Sequence, residues 1–503
     1  MNKLPRWIFL YALALPVAVL LGFLLATPTD FTSLSLVSLS FLMLCTPLIL
    51  KWHYPILIFS WNTWILVFIL PGQPAFGVVM GAFSLMMSFL SRTMSRRSSF
   101  IHVRALAIPL ILLAVVVAVT ARFTGGISGR ALGGEIWGAK RYLGVFGAIV
   151  GYFALTAQSI PKDKANLYAS LFFIGGLTSM FCDIVFLAGP GFYFLFAIFP
   201  AMAALTQAAT QDTLQRFTGF SFAGLAGYSY LFMRYGIRGT FDLTRPWRFL
   251  LMMSCIAVSF IGGYRSLVII LILVMFFQFY FEGLFRSRLF PIFLLVGLLA
   301  GTFLIGFVQQ LPLSIQRSLS FLPLDVDPMA RADAISTAEW RLLMWKAVLP
   351  DVPKYLLLGK GFAFSGTDYT LTGEAIKRGF YTSYEDTMIA GNYHHGVLTL
   401  LIPFGIFGFL AFFWFCLAAL RVLYANYRYG EPHLKMVNTF LLPYFCARLL
   451  FYLTIYGQFD LDFVIFTGTV GLSVALNDGV RSRADQVREW EEHVALEAEA
   501  VPA

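Results

Sequence analysis

Long uninterrupted apolar runs alternate with short polar links along most of the chain. Ile8–Ala26, Ala105–Thr120, Leu267–Phe281 with its flanks, and Gly396–Leu420 are such runs. Apolar stretches of about 18 or more residues are long enough to cross about 30 Å of hydrocarbon as helices. None shows the every-second-residue alternation of a membrane β-barrel. The pattern therefore predicts transmembrane helices over roughly 7–26, 32–50, 54–70, 75–91, 104–121, 141–158, 167–187, 191–209, 218–234, 247–263, 266–285, 289–308, 396–420, 436–457 and 460–477. One long hydrophilic stretch, 309–395, interrupts it.

Charge placement orients these spans. Basic residues gather in cytoplasmic loops, and both Lys3 with Arg6 and Arg481, Arg483 and Arg488 qualify. Two cytoplasmic ends require an even number of crossings, whereas the pattern offers fifteen segments. The conflict is narrowest at 218–234, which carries three glycines between Arg216 and the pair Arg234 and Arg238. We read that segment as re-entrant or interfacial, which leaves about fourteen crossings. The expected fold is an all-α polytopic membrane protein with about 12–14 transmembrane helices. It divides into an N-terminal bundle (1–308), a large, partly helical periplasmic loop (309–395), C-terminal helices (396–478) and a cytoplasmic tail (479–503). Within the loop, Ser336-Thr337-Ala338-Glu339 has the form of a capping box and predicts a helix from about Ser336 to Val348.

Composition agrees with membrane residence. Hydrophobic residues make up 59% of the chain and charged residues 12%, against about 25% charged in soluble domains. The mean hydropathy is +0.78. The net charge of +10 is explained by loop topology and does not indicate nucleic acid. Cys45, Cys182, Cys255, Cys416 and Cys446 all stand in apolar segments, as core thiols rather than a disulfide framework. The first apolar run, behind Lys3 and Arg6, reads as an uncleaved first helix. Phosphate-loop, dinucleotide, zinc and nucleophile-elbow motifs are absent from the sequence.

A few polar residues stand where topology alone does not require them. His394 and His395 lie where the long loop re-enters the membrane. They are either a general base with its neighbour or a polar pair at a helix start. Arg265 follows Gly262-Gly263-Tyr264 between two apolar runs, as an anion ligand or a snorkelling anchor. Arg341 is a second arginine on the same side, with Trp345 four residues on and on the same helix face. Two guanidinium forks suit a diphosphate. Lys140 and Arg141 end the glycine-rich stretch 125–134, which is either an anion-binding loop or a connector. Asp183 and Arg448, inside predicted spans, are candidates to pair with each other. Tyr369, Tyr381, Tyr384 and Tyr393 are either sugar platforms or interface residues. Asp325 and Asp327 beside Pro328 are too weak a pattern for a metal site.

Three motifs taken together resemble the superfamily of O-antigen ligases and O-antigen polymerases. They are Arg265-Ser266 opening an apolar helix, Trp340-Arg341-x3-Trp345 followed by Gly359-Lys360-Gly361, and His394-x3-Leu398-x6-Gly405-x2-Gly408. The resemblance covers roughly 247–420, with His395 where the family usually has Asn. It implies a C-type glycosyltransferase architecture at the outer face of a bacterial inner membrane. It further implies a donor glycan on undecaprenyl diphosphate, an acceptor that is another glycan or lipid A core, and neither metal nor cofactor. In that reading His394 is the base, Arg265 and Arg341 hold the diphosphate, and His395, Trp345, Lys140 and Arg141 support them. Polymerase and ligase are not separable on these residues. The competing class is a polysaccharide transporter or flippase; such proteins tend to show repeats and broken helices at the midplane, and no repeat is visible in the sequence.

Overall fold

The structure, a computed structural model, describes residues 31–94, 100–127, 135–202 and 216–488, with a few isolated positions nearer the termini. Most of the expected span 7–26 and the glycine-rich positions 128–134 fall outside the described residues. The helices are α1 (Phe31–Ser60), α2 (Phe76–Met94), α3 (Arg104–Thr124), α4 (Ala139–Leu155), α5 (Ala165–Ile174), α6 (Met180–Ala188), α7 (Thr218–Thr240), α8 (Pro246–Phe260), α9 (Arg265–Phe281) and α10 (Leu289–Phe307). Four further helices bridge the polar stretch: α11 (Leu313–Leu319), α12 (Pro328–Val348), α13 (Gly366–Lys377) and α14 (Glu385–Ile389). The chain closes with α15 (Gly396–Tyr429), α16 (Lys435–Thr454) and α17 (Phe459–Leu476). One two-stranded sheet is described, pairing β1 (Ile136–Trp137) antiparallel with β2 (Phe364–Ser365).

Eight of the described helical segments are long and apolar enough to cross a bilayer, and α8 and α9 are shorter apolar helices. With α4 and α7 inside the bundle, this is an all-α polytopic membrane protein. The expected 32–50 and 54–70 do not form two separate helices. They give α1, kinked at Trp52 (φ −117°, ψ 27°) with Pro55 just beyond, and a non-helical link whose Leu66 bridges Ala75. Proline removes a helical N–H and clashes with the preceding turn, which apolarity alone does not reveal. The expected 191–209 opens as a 3-10 turn, Pro190–Ala197, and lies outside the described residues from 203 onward.

The segment 218–234, expected to be re-entrant or interfacial, forms most of α7, a helix interrupted at Gly236 (φ 62°, ψ −173°) and absent from the eight described segments long and apolar enough to cross a bilayer. Helix α7 lies alongside α9 over its whole length. Thr218 Oγ1 meets the Tyr264 hydroxyl at 2.9 Å, Tyr228 donates to the Leu271 carbonyl at 2.9 Å, and Ile237 N–H donates to Glu282 at 2.7 Å. Both helices therefore cover the same depth. Its glycines serve packing: a Cβ at Gly224 would stand 2.5 Å from the Cys255 carbonyl oxygen of α8.

Helix α15 is also broken, at Gly405 (φ 62°, ψ −164°), two residues after Pro403. The break frees carbonyls that must find donors in a dry interior. Lys360 N–H donates to the Ile402 carbonyl at 2.8 Å and Gly361 N–H to the Pro403 carbonyl at 2.9 Å. The Gly359-Lys360-Gly361 segment is therefore a splint across a broken helix. Gly359 (φ 82°) and Gly361 (φ 72°) are left-handed, and Cβ atoms there would lie 2.1 Å from the Pro403 oxygen and from Thr124 Oγ1. Only glycine fits both demands.

Helix α12 begins eight residues before the expected Ser336. Asp327 caps it by accepting from Met329 N–H at 2.8 Å, with Pro328 in the first turn. The Ser336 hydroxyl instead donates to the Asp333 carbonyl at 3.0 Å within the helix. Asp183 and Arg448 do not pair. Asp183 accepts from Phe220 N–H at 2.8 Å, while Arg448 lies over the Tyr444 ring and within electrostatic reach of Asp462. The five cysteines are free thiols.

Candidate functional site

The loop 390–396 is clamped from three helices. From α4, the Arg141 guanidinium donates to the Ala390 carbonyl at 2.7 Å and the Gly391 carbonyl at 3.2 Å. From α12, Trp345 Nε1 donates to the Tyr393 carbonyl at 2.8 Å. From α16, the Tyr452 hydroxyl donates to the Gly396 carbonyl at 2.7 Å. These clamps hold His394 at φ 51°, a left-handed conformation that costs a non-glycine residue about 1–3 kcal/mol and is common at functional sites.

The two histidines diverge because of this backbone. His395 is extended (φ −144°, ψ 118°) and precedes α15, so neither belongs to the helix. The His394 ring sits between Trp340 and Tyr456, with centroids 5.4 and 5.2 Å away. The His395 ring meets Trp345 at 5.1 Å, nearly perpendicular. Burial, reinforced by the Arg341 charge, pushes the His394 imidazole down to about 4, so it is neutral near pH 7. Burial lowers His395 as well.

Arg341 reaches the same place from α12. Its guanidinium lies 5.7 Å from the Tyr456 ring centroid, and its charge is felt by His394 and Arg265. Burial lowers its pKa, Tyr456 opposes that shift and Arg317 adds to it; a guanidinium stays cationic regardless. Arg265, at the start of α9, donates to the Ala334 carbonyl of α12 at 2.7 Å. The sequence-predicted trio of His394, Arg341 and Arg265 is thus assembled, although the residues are far apart along the chain.

Two more arginines surround them. Arg317 of α11 pairs with Asp333 and donates to the Gly263 carbonyl and, at 3.1 Å, to Thr337 Oγ1. Arg216 pairs with the same Asp333 at 3.1 Å. Asp333 thus pairs closely with two of the four cations and is felt by Arg265, while neither Arg265 nor Arg341 forms a close ion pair among the described residues. Buried polar atoms without a hydrogen bond concentrate at this point: Arg341 Nε, Asn392 Oδ1, His394 Nδ1 and His395 Nδ1. Such atoms are uncommon in native interiors.

Arg141 is accounted for without an anion. It pairs with Asp460 at 3.1 Å, packs 4.1 Å from the Phe362 ring and binds the two loop carbonyls. It supports the site by positioning. Lys140 is exposed at the start of α4. Tyr393 is 3% exposed and Tyr369 packs on Trp137 and Phe364, so neither presents an open ring face to a sugar. Tyr381 is exposed. Asp327 caps α12, and Asp325 accepts from Gln309 Nε2 at 2.7 Å. The described residues hold no metal-like cluster of His, Cys, Asp and Glu.

Tyr456, Arg317 and Asp333 escaped sequence reasoning, and Trp340, visible in its motif, carried no role there. One signal was present: Asp333, Thr337 and Arg341 recur every four residues and share a face of α12. Tyr456, in the turn between α16 and α17, carried none.

The bundle and the cluster at its end define a polytopic membrane protein that sets a neutral histidine beside arginines. Residues 249–413, about a third of the chain, match the family model for O-antigen ligase. The match supports the O-antigen ligase and polymerase superfamily, membrane enzymes of polysaccharide biosynthesis. It encloses Arg265, Arg341, Trp345, His394 and His395, whereas Arg141 and Tyr456 lie beyond it. No curated protein shows significant similarity to the chain.

Proposed function

We propose that the protein is a metal-independent, inverting glycosyltransferase of the inner membrane. It moves or polymerises a glycan from an undecaprenyl-diphosphate donor onto an acceptor hydroxyl, either another lipid-linked glycan or lipid A core. Residues 309–395 and the site face the periplasm. His394 takes the acceptor hydroxyl proton as that oxygen attacks the anomeric carbon and the bond to the diphosphate breaks. Arg265 and Arg341 hold the leaving diphosphate as its charge develops, commonly the largest electrostatic contribution to such a step. Direct displacement inverts the anomeric centre. A neutral imidazole is the competent form of a general base.

The observation that carries this reading is the cluster of unpartnered buried atoms on Arg341, Asn392, His394 and His395, next to Arg265, whose charge meets both Arg341 and Asp333. A transporter needs no general base at one end of the bundle. The test is the cell-envelope glycan profile of a deletion strain. Loss of chain length marks a polymerase; loss of attachment with free lipid-linked polymer marks a ligase. Glycan retained on the cytoplasmic side would instead mark a transporter and end the enzyme reading.

A further inference from the structure

At the end of the bundle opposite the histidines, an apolar pocket opens between α2, α3 and α4. The depth follows from α4, whose first turn adjoins the Arg141 clamp and whose last turn lines this pocket. The cavity volume is about 350 Å³, within the usual range of about 300–1,000 Å³ for small-ligand sites. Leu85, Phe89, Phe100, Val150 and Phe153 form its walls, and His102 enters its lining. Phe89 is 55% exposed, so the pocket continues onto the outer, bilayer-facing side of the helices.

The rim is cationic. The Arg92 guanidinium sits 5.1 Å from the centroid of Phe100, a wall residue. Arg104 and His102 are exposed beside it. Arg104 opens α3, whose N-cap residue Val103 makes no side-chain cap, so the positive helix end is unmasked. Neither Arg92 nor Arg104 has a carboxylate partner among the described residues. Gly479 of a neighbouring turn comes close, with a Cβ position 3.7 Å from Ile101.

We infer that this pocket binds an anionic diacyl phospholipid, with one acyl chain between α2, α3 and α4 and the phosphate on Arg92, Arg104 and His102. Basic pockets between transmembrane helices are a recognised way of holding anionic headgroups. The apolar walls select a chain and the cations select the phosphate. A zwitterionic lipid gains the first contact without the second. The site is separate from the glycan site in position and in residues.

The test uses the delipidated full-length protein in neutral detergent, titrated with phosphatidylglycerol and with phosphatidylcholine of identical chains. Wild type should bind the anionic lipid at least about tenfold more tightly, and R92Q/R104Q should bring the two within about twofold. Val150→Phe, which fills the wall, should weaken both lipids. Phosphatidylglycerol carrying a photoreactive acyl chain should cross-link wild type at Phe89, Phe100 or Val150, an arm that needs no variant to fold. Equal affinities in wild type, selectivity surviving in the double variant, or cross-links elsewhere would overturn the site. Displacement by inorganic phosphate alone would show that no chain is held. A polyprenyl phosphate binding tenfold more tightly than phosphatidylglycerol would assign the pocket to another lipid.

Discussion

The neutrality of His394 follows from where its neighbours put it, and it makes the residue's role measurable. Two aromatic rings and Arg341 leave a protonated imidazole poorly solvated and repelled, which is why its pKa falls to about 4 from 6.5. The base-competent form therefore persists through mild acid. The acid limb of kcat/KM should fall near pH 4, not 6.5, and R341Q should move it upward by removing the repelling charge. An unmoved limb in R341Q would separate Arg341 from the histidine. Stability linked to this group is complete above about pH 6.5 and is lost as pH falls toward 4, because the unfolded chain takes up the proton more readily. His394→Ala should cost about 10²–10⁴ in transfer rate, the usual worth of a positioned base. His395→Asn should be tolerated, since an amide can replace an imidazole as a polar neighbour. Full activity in the 394 variant with a dead 395 variant would exchange their roles. Lys at 265 or 341 keeps the charge but loses the two-pronged fork. Each should lower transfer well beyond what retained charge implies, and wild-type rates in both would make these arginines anchors.

At the scale of elements, α12 does two jobs with one face and its edge. Asp333, Thr337 and Arg341 face the arginine cluster, while Trp345 ties the histidine loop through the Tyr393 carbonyl. Trp345→Phe removes that tie but keeps an aromatic ring against His395. It should lower kcat while leaving donor binding nearly unchanged, measured as transfer rate and as binding of the lipid-linked donor. A change confined to donor affinity would move Trp345 from positioning to binding. Much of this element was legible in advance: the shared face of Arg341 and Trp345, and the motif order that led to His394. Its true start was readable too, because Asp327-Pro328 is a strong helix opening, but the capping-box pattern at Ser336 competed with it. The contacts of Trp340 and Tyr456 with one imidazole were not readable. They join positions 54 and 62 residues apart, and no local spacing encodes that. Gly361 shows the same limit: its motif was visible, while its work as a splint needs the break at Gly405. Gly361→Ala should destabilise the folded protein, since a Cβ there would collide with Thr124 Oγ1 and occupy left-handed backbone. A thermal midpoint equal to wild type would remove the splint.

For the whole molecule, apolar length gave the helical class but misjudged where the chain turns. Continuous hydrophobicity does not distinguish one kinked helix from two, as α1 shows, nor a glycine-rich span from a re-entrant one, as α7 shows. Glycines lower local hydrophobicity in both cases, yet in α7 they permit close packing against α8. The depth of α7 is fixed by its partners on α9: Thr218 at Tyr264, Tyr228 at Leu271 and Ile237 at Glu282. Where α9 spans the bilayer, the two ends of α7 lie on opposite faces, and the turn after α7 lies opposite the histidine site. This can be checked in intact cells. In a background lacking the five native cysteines, Leu243→Cys in the turn between α7 and α8 and Phe380→Cys after α13 offer two reporters, at positions 89% and 77% exposed. A membrane-impermeant maleimide added from outside should label the cysteine at 380 directly. It should reach the one at 243 only after the membrane is permeabilised. Labelling of both from one side would support the re-entrant or interfacial reading of 218–234 against a spanning α7.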